Sequence, residues 1–160
     1  MRIIAPYFVE HSYTQHLVAN MDVVFPLLCP VREAEWIEGW DPTLVFSASG
    51  IAEENCVFIT GSGNEQAIWV ITEHDPDRGV VEYVETTPGL TVARIRIRLY
   101  PVDGDRCTAV IRYRHTALSP AGRQVVASLT AEQYQEFMRG WEAKLNHYLT
   151  SGKMLRETAG

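Results

Sequence analysis

The side chains best suited to acid–base chemistry lie on two segments predicted to be β-strands. Alternation along residues 106–117 places Tyr113 and His115 on the apolar face of their strand. A histidine titrates near neutral pH, so on such a face it could serve as a general base or as a hydrogen-bond anchor. A structural role is the more common one for a histidine in this setting, and both interpretations stay open.

Glu85 is the third candidate for proton transfer. It lies two residues after Tyr83, so the two side chains share one face of the predicted strand 80–86. If that face is buried, the carboxyl group loses its hydration and its pKa rises. Carboxylates at strand ends are more often exposed, which is the alternative.

Tryptophans form a second group of candidate site residues. Trp36 and Trp40 lie in and just after a predicted short helix, and Trp69 lies on a predicted strand. Each presents a rigid aromatic surface and one N–H group, which suits contact with an apolar ligand at a cavity mouth. Packing between the short helices and the sheet is the alternative.

The sequence predicts neither a metal site nor a cofactor. Four acidic residues cluster in one stretch: Glu33, Glu35, Glu38 and Asp41. They lack the loop pattern of a calcium site and are interpreted as a solvated helix face. The three cysteines, Cys29, Cys56 and Cys107, have no zinc-site spacing and lie in apolar runs, which favours buried free thiols. No phosphate-binding or dinucleotide-binding motif is present.

Composition narrows the class of protein. The 160 residues are 46% hydrophobic and carry a formal net charge of -6, so one folded domain over 1–160 is expected, with its core at about 10–152. The acidic balance argues against nucleic acid as a partner. No signal peptide and no apolar run long enough to span a membrane is recognised, and the sparse cysteines favour the cytoplasm.

Periodicity and turn signals predict the elements that position these side chains. A first strand is expected over 11–19, followed by two short helices that end near Gly39. Six more strands are expected over 43–49, 56–60, 66–73, 80–86, 90–100 and 106–117. A long amphipathic helix should begin after Thr130, which with Gln133 forms a capping box, and end at Gly152.

This order of elements predicts an α+β fold. About seven strands joined by short hairpins form an antiparallel sheet that is too wide to stay flat. Only one long helix is available to cover its concave face. The sheet is therefore expected to curl around the C-terminal helix and leave a cavity between them.

The sequence resembles the SRPBCC superfamily, the START and birch-pollen-allergen-like proteins, and most of all bacterial members of the polyketide cyclase/dehydrase-like group. The resemblance lies in FPLLCPVREAEWIEGWD (25–41), IWVITEHDPDRGVVEYV (68–84) and WEAKLNHYLTSG (141–152). It implies a helix-grip fold, in which a hydrophobic cavity holds a small apolar molecule such as a lipid, a polyketide or an aromatic compound. Since one fold serves many functions, the resemblance does not define an activity.

Three functions stay open on this basis. In the first, a monomer or homodimer binds a small apolar molecule, and the residues expected to contact it are Trp36, Trp40, Phe58, Trp69, Tyr83, Ile97, Tyr113, His115, Phe137 and Trp141. In the second, a cyclase/dehydrase-type enzyme uses His115, Tyr113 or Glu85 to move a proton. In the third, the domain binds another protein, as chaperone-assisting members do, and its interior is closed. The sequence favours binding over catalysis.

The strand over 90–100 also predicts a basic outer surface. Arg94, Arg96 and Arg98 alternate with the apolar residues that face inward, and Arg112 and Arg114 do the same on the next strand. These arginines could bind an anion or a partner. The favoured interpretation is a solvated sheet face with cross-strand ion pairs to acids such as Glu82.

Overall fold

The computed structural model describes residues 1–156, except for the side chain of Leu44, so the last four residues of the expected domain lie outside the described part. The strands are β1 (Phe8–Leu17), β2 (Leu44–Phe46), β3 (Val57–Thr60), β4 (Ala67–Asp75), β5 (Val80–Thr87), β6 (Thr91–Asp103) and β7 (Arg106–Ala117). The α-helices are α1 (Met21–Val24), α2 (Pro120–Ser128) and α3 (Ala131–Ser151), and 3₁₀ turns span Phe25–Leu27, Arg32–Glu35 and Gly63–Glu65.

The seven strands form one curved antiparallel sheet, as predicted. Its order is β1-β7-β6-β5-β4-β3-β2. The first strand therefore lies beside the last, and β2 to β7 follow one another across the sheet in chain order. A bulge between Ile71 and Glu73 interrupts the pairing of β4 with β5, and another lies between Pro101 and Asp103. Bulges bend a strand and increase its twist, which helps this sheet to curl.

The alternation predicted for the long strands is confirmed. Four residues of β6 lie on the concave face and are each no more than 3% exposed: Ala93, Ile95, Ile97 and Leu99. Ala109 and Ile111 continue this apolar surface on β7. Since burying such side chains is the main favourable contribution to folding, this face fixes which side of each strand points inward.

Helix α3 has the predicted start and end. The Thr130 side chain accepts a hydrogen bond from the Gln133 amide, the Gln133 side chain accepts one from the Thr130 amide, and Gly152 ends the helix at φ 66°. Tyr134, Met138 and Leu145 are buried on the face that packs toward β1. The helix therefore covers the β1 side of the concave face and leaves the β3–β5 side less covered.

Polar side chains attach α3 to the outer edge of β1. The Glu142 carboxylate accepts a hydrogen bond from the His16 amide, and the Asn146 side chain bonds to both the Val18 amide and the His16 carbonyl. The side-chain amide of Gln15 donates to the Met138 carbonyl at 3.0 Å. The contacts of Glu142 and Asn146 satisfy backbone groups that an edge strand leaves unpaired.

Helix α2 was not predicted. Ser119 caps it by accepting a hydrogen bond from the Gly122 amide, and Pro120 occupies the first turn. The helix packs against β7, β1 and β6. At Gly122 it comes so close to the turn before β6 that a Cβ there would lie 1.8 Å from the Leu90 carbonyl oxygen.

The segment between β1 and β2 is more tightly wound than predicted. The second of the two short helices expected before Gly39 is a single 3₁₀ turn, Arg32–Glu35. The indole N–H of Trp36 donates to the Leu27 carbonyl at 3.2 Å, and its ring lies 5.0 Å from that of Trp141. The Tyr148 hydroxyl donates to Glu35, which ties this turn to α3.

The outer face of the sheet carries the arginines, and the predicted pairing with acids is confirmed. Glu82 lies 3.0 Å from both Arg94 and Arg96, while Arg114 pairs with Glu10 at 3.3 Å. This outer surface, which we call the arginine face, consists of Arg94, Arg96, Arg98, Arg112 and Arg114. Its arginines form ion pairs with acidic residues of neighbouring strands, which is the cross-strand pairing expected from the sequence.

Candidate ligand-binding cavity

A cavity of about 510 Å³ lies between the concave face of the sheet and α3. Its lining comes from the sheet, from the segment after α1 and from α3: Phe58, Trp69, Tyr83, Ile95, Ile97 and Tyr113; Glu33, Ile37 and Trp40; Glu136, Phe137, Gly140, Trp141 and Lys144. The volume falls within the roughly 300–1,000 Å³ of cavities that hold small organic ligands. The interior is therefore not filled by the protein's own side chains.

Aromatic rings form most of the sheet wall. Phe58 and Trp69 are directly opposite in the β3–β4 register, and their rings stack at 5.2 Å and 11°. Tyr83 meets both rings edge-on at 6.4 and 6.5 Å, and Trp40 meets Phe58 at 6.2 Å. These contacts hold the rings in defined orientations, so they offer a rigid apolar surface.

The polar groups of these aromatic residues are mostly satisfied within the protein. The Trp69 indole donates to the Thr60 hydroxyl at 2.9 Å, and the Trp40 indole donates to the Pro30 carbonyl at 2.7 Å. The Tyr83 hydroxyl donates to the Leu28 carbonyl at 3.0 Å. A ligand on this wall therefore meets ring faces rather than free donors.

Tyr113 differs from Tyr83 because its hydroxyl is free for a ligand. Among the described residues, nothing forms a hydrogen bond with this hydroxyl. Burial, more than the nearby Tyr134, Glu33 and Glu85, raises the pKa of Tyr113 well above its usual value, so the group stays a neutral donor.

Glu33 is the second unsatisfied polar group of the cavity. Its residue is 9% exposed, and burial alone raises the pKa of its carboxyl to about 8. No hydrogen bond and no neighbouring cation within the described part of the chain lowers that pKa. At neutral pH this carboxyl is therefore mainly protonated and can donate a hydrogen bond or a proton.

Residues of one face of α3 form the other wall and the mouth. Trp141 is half-buried, whereas Glu136, Phe137 and Gly140 are exposed. Phe137 keeps 57% of its surface exposed although it lines the cavity. A Cβ at Gly140 would have no atom within 4 Å, so this position leaves space at the mouth.

The structure brings together most of the residues expected at the site and leaves three of them outside the lining. Those in the lining are Trp40, Phe58, Trp69, Tyr83, Ile97, Tyr113, Phe137 and Trp141. Trp36 is fully buried beneath the cavity, where it packs on Trp141. It lies beneath the cavity because the 3₁₀ turn directs it toward the core.

His115 and Glu85 point to the concave face but lie beyond the cavity. In the register they flank Ala93 from the two neighbouring strands, which separates their backbones by about 10 Å. Burial, followed by the nearby His11, holds the pKa of His115 below its usual value, and its Nδ1 lacks a partner in the described structure. Burial raises the pKa of Glu85, with a smaller opposing effect from Thr87.

Sequence reasoning missed Glu33 because the acidic stretch was interpreted as a solvated helix face. In a 3₁₀ turn, residues three apart share one side, so Glu33 lies on the side of Trp36. The three-residue spacing between Glu33 and Trp36 was the available sign that Glu33 is buried. Ile37, Ile95, Glu136, Gly140 and Lys144 were also missed as lining residues.

Comparisons of sequence and of structure give different results. No protein-family model and no curated protein matches the sequence. Solved structures do match. Norcoclaurine synthase from Thalictrum flavum, in complex with dopamine and hydroxybenzaldehyde, aligns with a TM-score of 0.66 and 10% identity over 92% of this chain and 90% of that one. A protein from Thermobifida fusca aligns with a TM-score of 0.62 and 17% identity over 92% and 98% of the two chains.

DynU16, a protein of the dynemicin biosynthetic locus, aligns with a TM-score of 0.61 and 14% identity over 90% of this chain and 48% of that one. This chain has the helix-grip fold. The fold predicted from the sequence is thus confirmed. At such low identity, the helix-grip likeness concerns the fold and not the activity.

Two observations further describe this helix-grip chain. Within residues 1–156, no three His, Cys, Asp or Glu side chains are placed to hold a metal ion. None of the helices described is long and apolar enough to cross a membrane. In the interior of the cavity, Glu33 and Tyr113 are the polar side chains without a hydrogen-bond partner among the described residues.

Proposed function

We propose that this protein binds a small, largely apolar molecule with an aromatic ring system in the cavity between the sheet and α3. The observation that carries the proposal is an unfilled space of about 510 Å³ whose sheet wall consists of fixed aromatic rings. Flat ligands gain most from such a wall because ring faces can stack on it. An aromatic ligand is therefore favoured over a flexible lipid chain or a linear polyketide.

The neighbours in structure support the same proposal. Norcoclaurine synthase holds dopamine and hydroxybenzaldehyde, which are both small aromatic molecules. In the proposed complex, Tyr113 and Glu33 supply the few polar contacts that orient the ligand, while Phe58 and Trp69 supply the stacking surface.

Blocking the mouth at Gly140 tests this proposal. Since a Cβ there meets open space and glycine disfavours a helix, alanine, leucine and tryptophan should all be tolerated. We expect affinity for the neutral dye N-phenyl-1-naphthylamine, measured by fluorescence, to fall in that order, by tenfold or more for Gly140→Trp. Native mass spectrometry of freshly purified protein would detect a ligand already bound.

Arg139→Trp is the matched control, because it places the same indole side chain on α3 next to Gly140 but outside the cavity lining. It should leave dye affinity within about twofold of the parent. Equal affinities of the dye for the parent and Gly140→Trp would contradict the proposal, since binding would then take place elsewhere.

A further inference from the structure

Three charged residues line the cavity, and only one of them is buried. Glu136 is exposed and Lys144 is half-exposed at the mouth, whereas Glu33 is 9% exposed in the interior. The Glu33 carboxyl has no hydrogen-bond partner among the described residues. Leaving a buried polar group unpaired is unfavourable, so a ligand that supplies a partner gains affinity at this point.

The surroundings of Glu33 favour a positively charged partner. Tyr83 and Tyr113 are close enough that the Glu33 charge raises the pKa of both hydroxyls, although burial is the larger cause. The faces of aromatic rings carry negative electrostatic potential and attract cations, most strongly at tryptophan. Trp40 and Trp69 belong to the same wall. A formal net charge of -6 adds a weak long-range attraction.

We propose that the ligand joins its aromatic ring system to a protonated amine, and that this amine forms an ion pair with Glu33. The inference rests on the proposed function, because it specifies the ligand of the same cavity. The ring system stacks on the aromatic wall while the ammonium group replaces the partner that Glu33 lacks. Hydrogen bonding of Glu33 to a ligand carbonyl is the competing mode, and the test separates the two.

Charge and protons balance in the amine complex. Below pH 8 the free protein carries a proton on Glu33, and an ammonium ligand brings its own. On binding, the carboxyl proton leaves for solvent, and the carboxylate and ammonium form the pair. The other titratable groups around Glu33 are Tyr83, Tyr113, Cys29, Glu136 and Lys144, with Arg32 and Glu35 on its own turn. Both tyrosines stay neutral over pH 6–8 because their pKa values are raised.

Calorimetry with two matched indoles tests the proposal on the intact protein. Tryptamine carries an ammonium group, and tryptophol carries a neutral hydroxyl in its place. At pH 8 tryptamine should bind at least tenfold more tightly than tryptophol. Its affinity should rise about tenfold from pH 6 to pH 7 and level off above pH 8, as ionisation of Glu33 dictates. In two buffers of different ionisation enthalpy at pH 7, tryptamine should release about one proton and tryptophol none.

Two variants separate the charge of Glu33 from its packing. Glu33→Gln keeps the shape, so tryptophol should bind as before, while tryptamine should lose tenfold or more together with its pH dependence and its proton release. Glu35→Gln removes a carboxylate from the same turn, outside the cavity lining, and should retain the preference for tryptamine.

Each other outcome has a definite meaning. Equal affinity for the two indoles, or an equal loss of both in Glu33→Gln, overturns the inference. Affinity for tryptamine that falls as the pH rises to 8 also overturns it and favours the neutral carboxyl as a donor to a carbonyl. If N-phenyl-1-naphthylamine binds but tryptamine binds no more tightly than tryptophol, the inference fails while the proposed function stands. If neither the dye nor the indoles bind, the proposed function fails as well.

Discussion

Glu33 lowers the stability of the folded protein by an amount that depends on pH. In the unfolded chain its carboxyl ionises near 4.5, whereas in the folded protein its pKa is about 8. Between these values the folded state holds a proton that the unfolded state has lost. Stability from this residue is therefore fully present below about pH 4.5 and declines as the pH rises to 8, in total by roughly 5 kcal/mol.

Glu33→Gln should remove that dependence. Relative to the parent, the variant should become more stable as the pH rises, with little difference at pH 4.5 and several kcal/mol at pH 8. Urea denaturation at pH 4.5, 6 and 8 measures the two free energies of unfolding. A difference that is constant over this range would show that the carboxyl is hydrated in the folded protein.

Glu35→Gln is the control, because the pKa shift of Glu35 is opposite in direction to that of Glu33. Hydrogen bonds from Arg32 and then Tyr148 hold the pKa of Glu35 below its usual value. Its contribution to stability is thus present at neutral pH and lost in acid. The control variant should be closest to the parent at the lowest pH rather than the highest.

Alternation of side chains was sufficient to orient Tyr113 but gave no information on Glu33. A strand has a period of two residues, so the apolar neighbours of Tyr113 settled its direction. Glu33 lies in a single 3₁₀ turn that has no long pattern of its own. Its burial depends on where the turn docks against Tyr83 and α3, which is tertiary information.

Among the elements, α2 depends on one close contact. Gly122→Ala would place a Cβ 1.8 Å from the Leu90 carbonyl oxygen, which also accepts a hydrogen bond from the Leu118 amide at 2.8 Å. The Leu90 carbonyl cannot move away from the new Cβ without breaking its hydrogen bond to Leu118 and the turn before β6. We expect a loss of at least 2 kcal/mol in the free energy of unfolding, measured in urea.

Gly140→Ala supplies the comparison on the other long helix. Its Cβ meets open space, so the usual preference of helices for alanine should add about 1 kcal/mol. If Gly122→Ala also stabilised the protein, α2 would have to lie farther from the sheet than the structure places it.

The strands and α3 were predictable because each carries its own local signals. Hairpin glycines, alternation and the Thr130 capping box gave the bounds of β3, β5, β7 and α3 to within one residue. The first strand lies at Phe8–Leu17 instead of 11–19, β2 ends at Phe46 instead of 49, and β6 continues to Asp103 instead of 100. Helix α2 was missed because Pro120 and Gly122 within four residues are typical of a loop, although Ser119 followed by proline was a usable start signal. The strand pattern alone could not show that His115 lies beyond the cavity.

At the scale of the whole molecule, charge is unevenly distributed. The chain has a formal net charge of -6, yet the arginine face concentrates positive charge on the outside of the sheet. Arg94 lies opposite Arg114, and Arg96 lies opposite Arg112, in the β6–β7 register. Like charges at directly opposed positions destabilise a sheet, so acids between them are needed to offset the repulsion.

Glu82→Gln should reveal that repulsion. The Glu82 side chain is only 8% exposed and bridges Arg94 and Arg96, so its loss should cost about 2 kcal/mol at low salt. In 1 M NaCl the cost should shrink, because screening weakens the remaining repulsion. Unfolding in urea at two salt concentrations measures both values. Glu10→Gln, at a pair with more than 40% exposure on each side, should change stability by about 0.5 kcal/mol or less.

The contacts of Glu142 and Asn146 with β1 also affect how copies of the protein can meet. A free strand edge invites another chain to add to the sheet, which is a common route to aggregation. Here side chains of α3 cover part of one edge, and the opposite edge strand, β2, has only three residues. Strand addition therefore has little backbone to use at β2 and at the end of β1 that α3 covers.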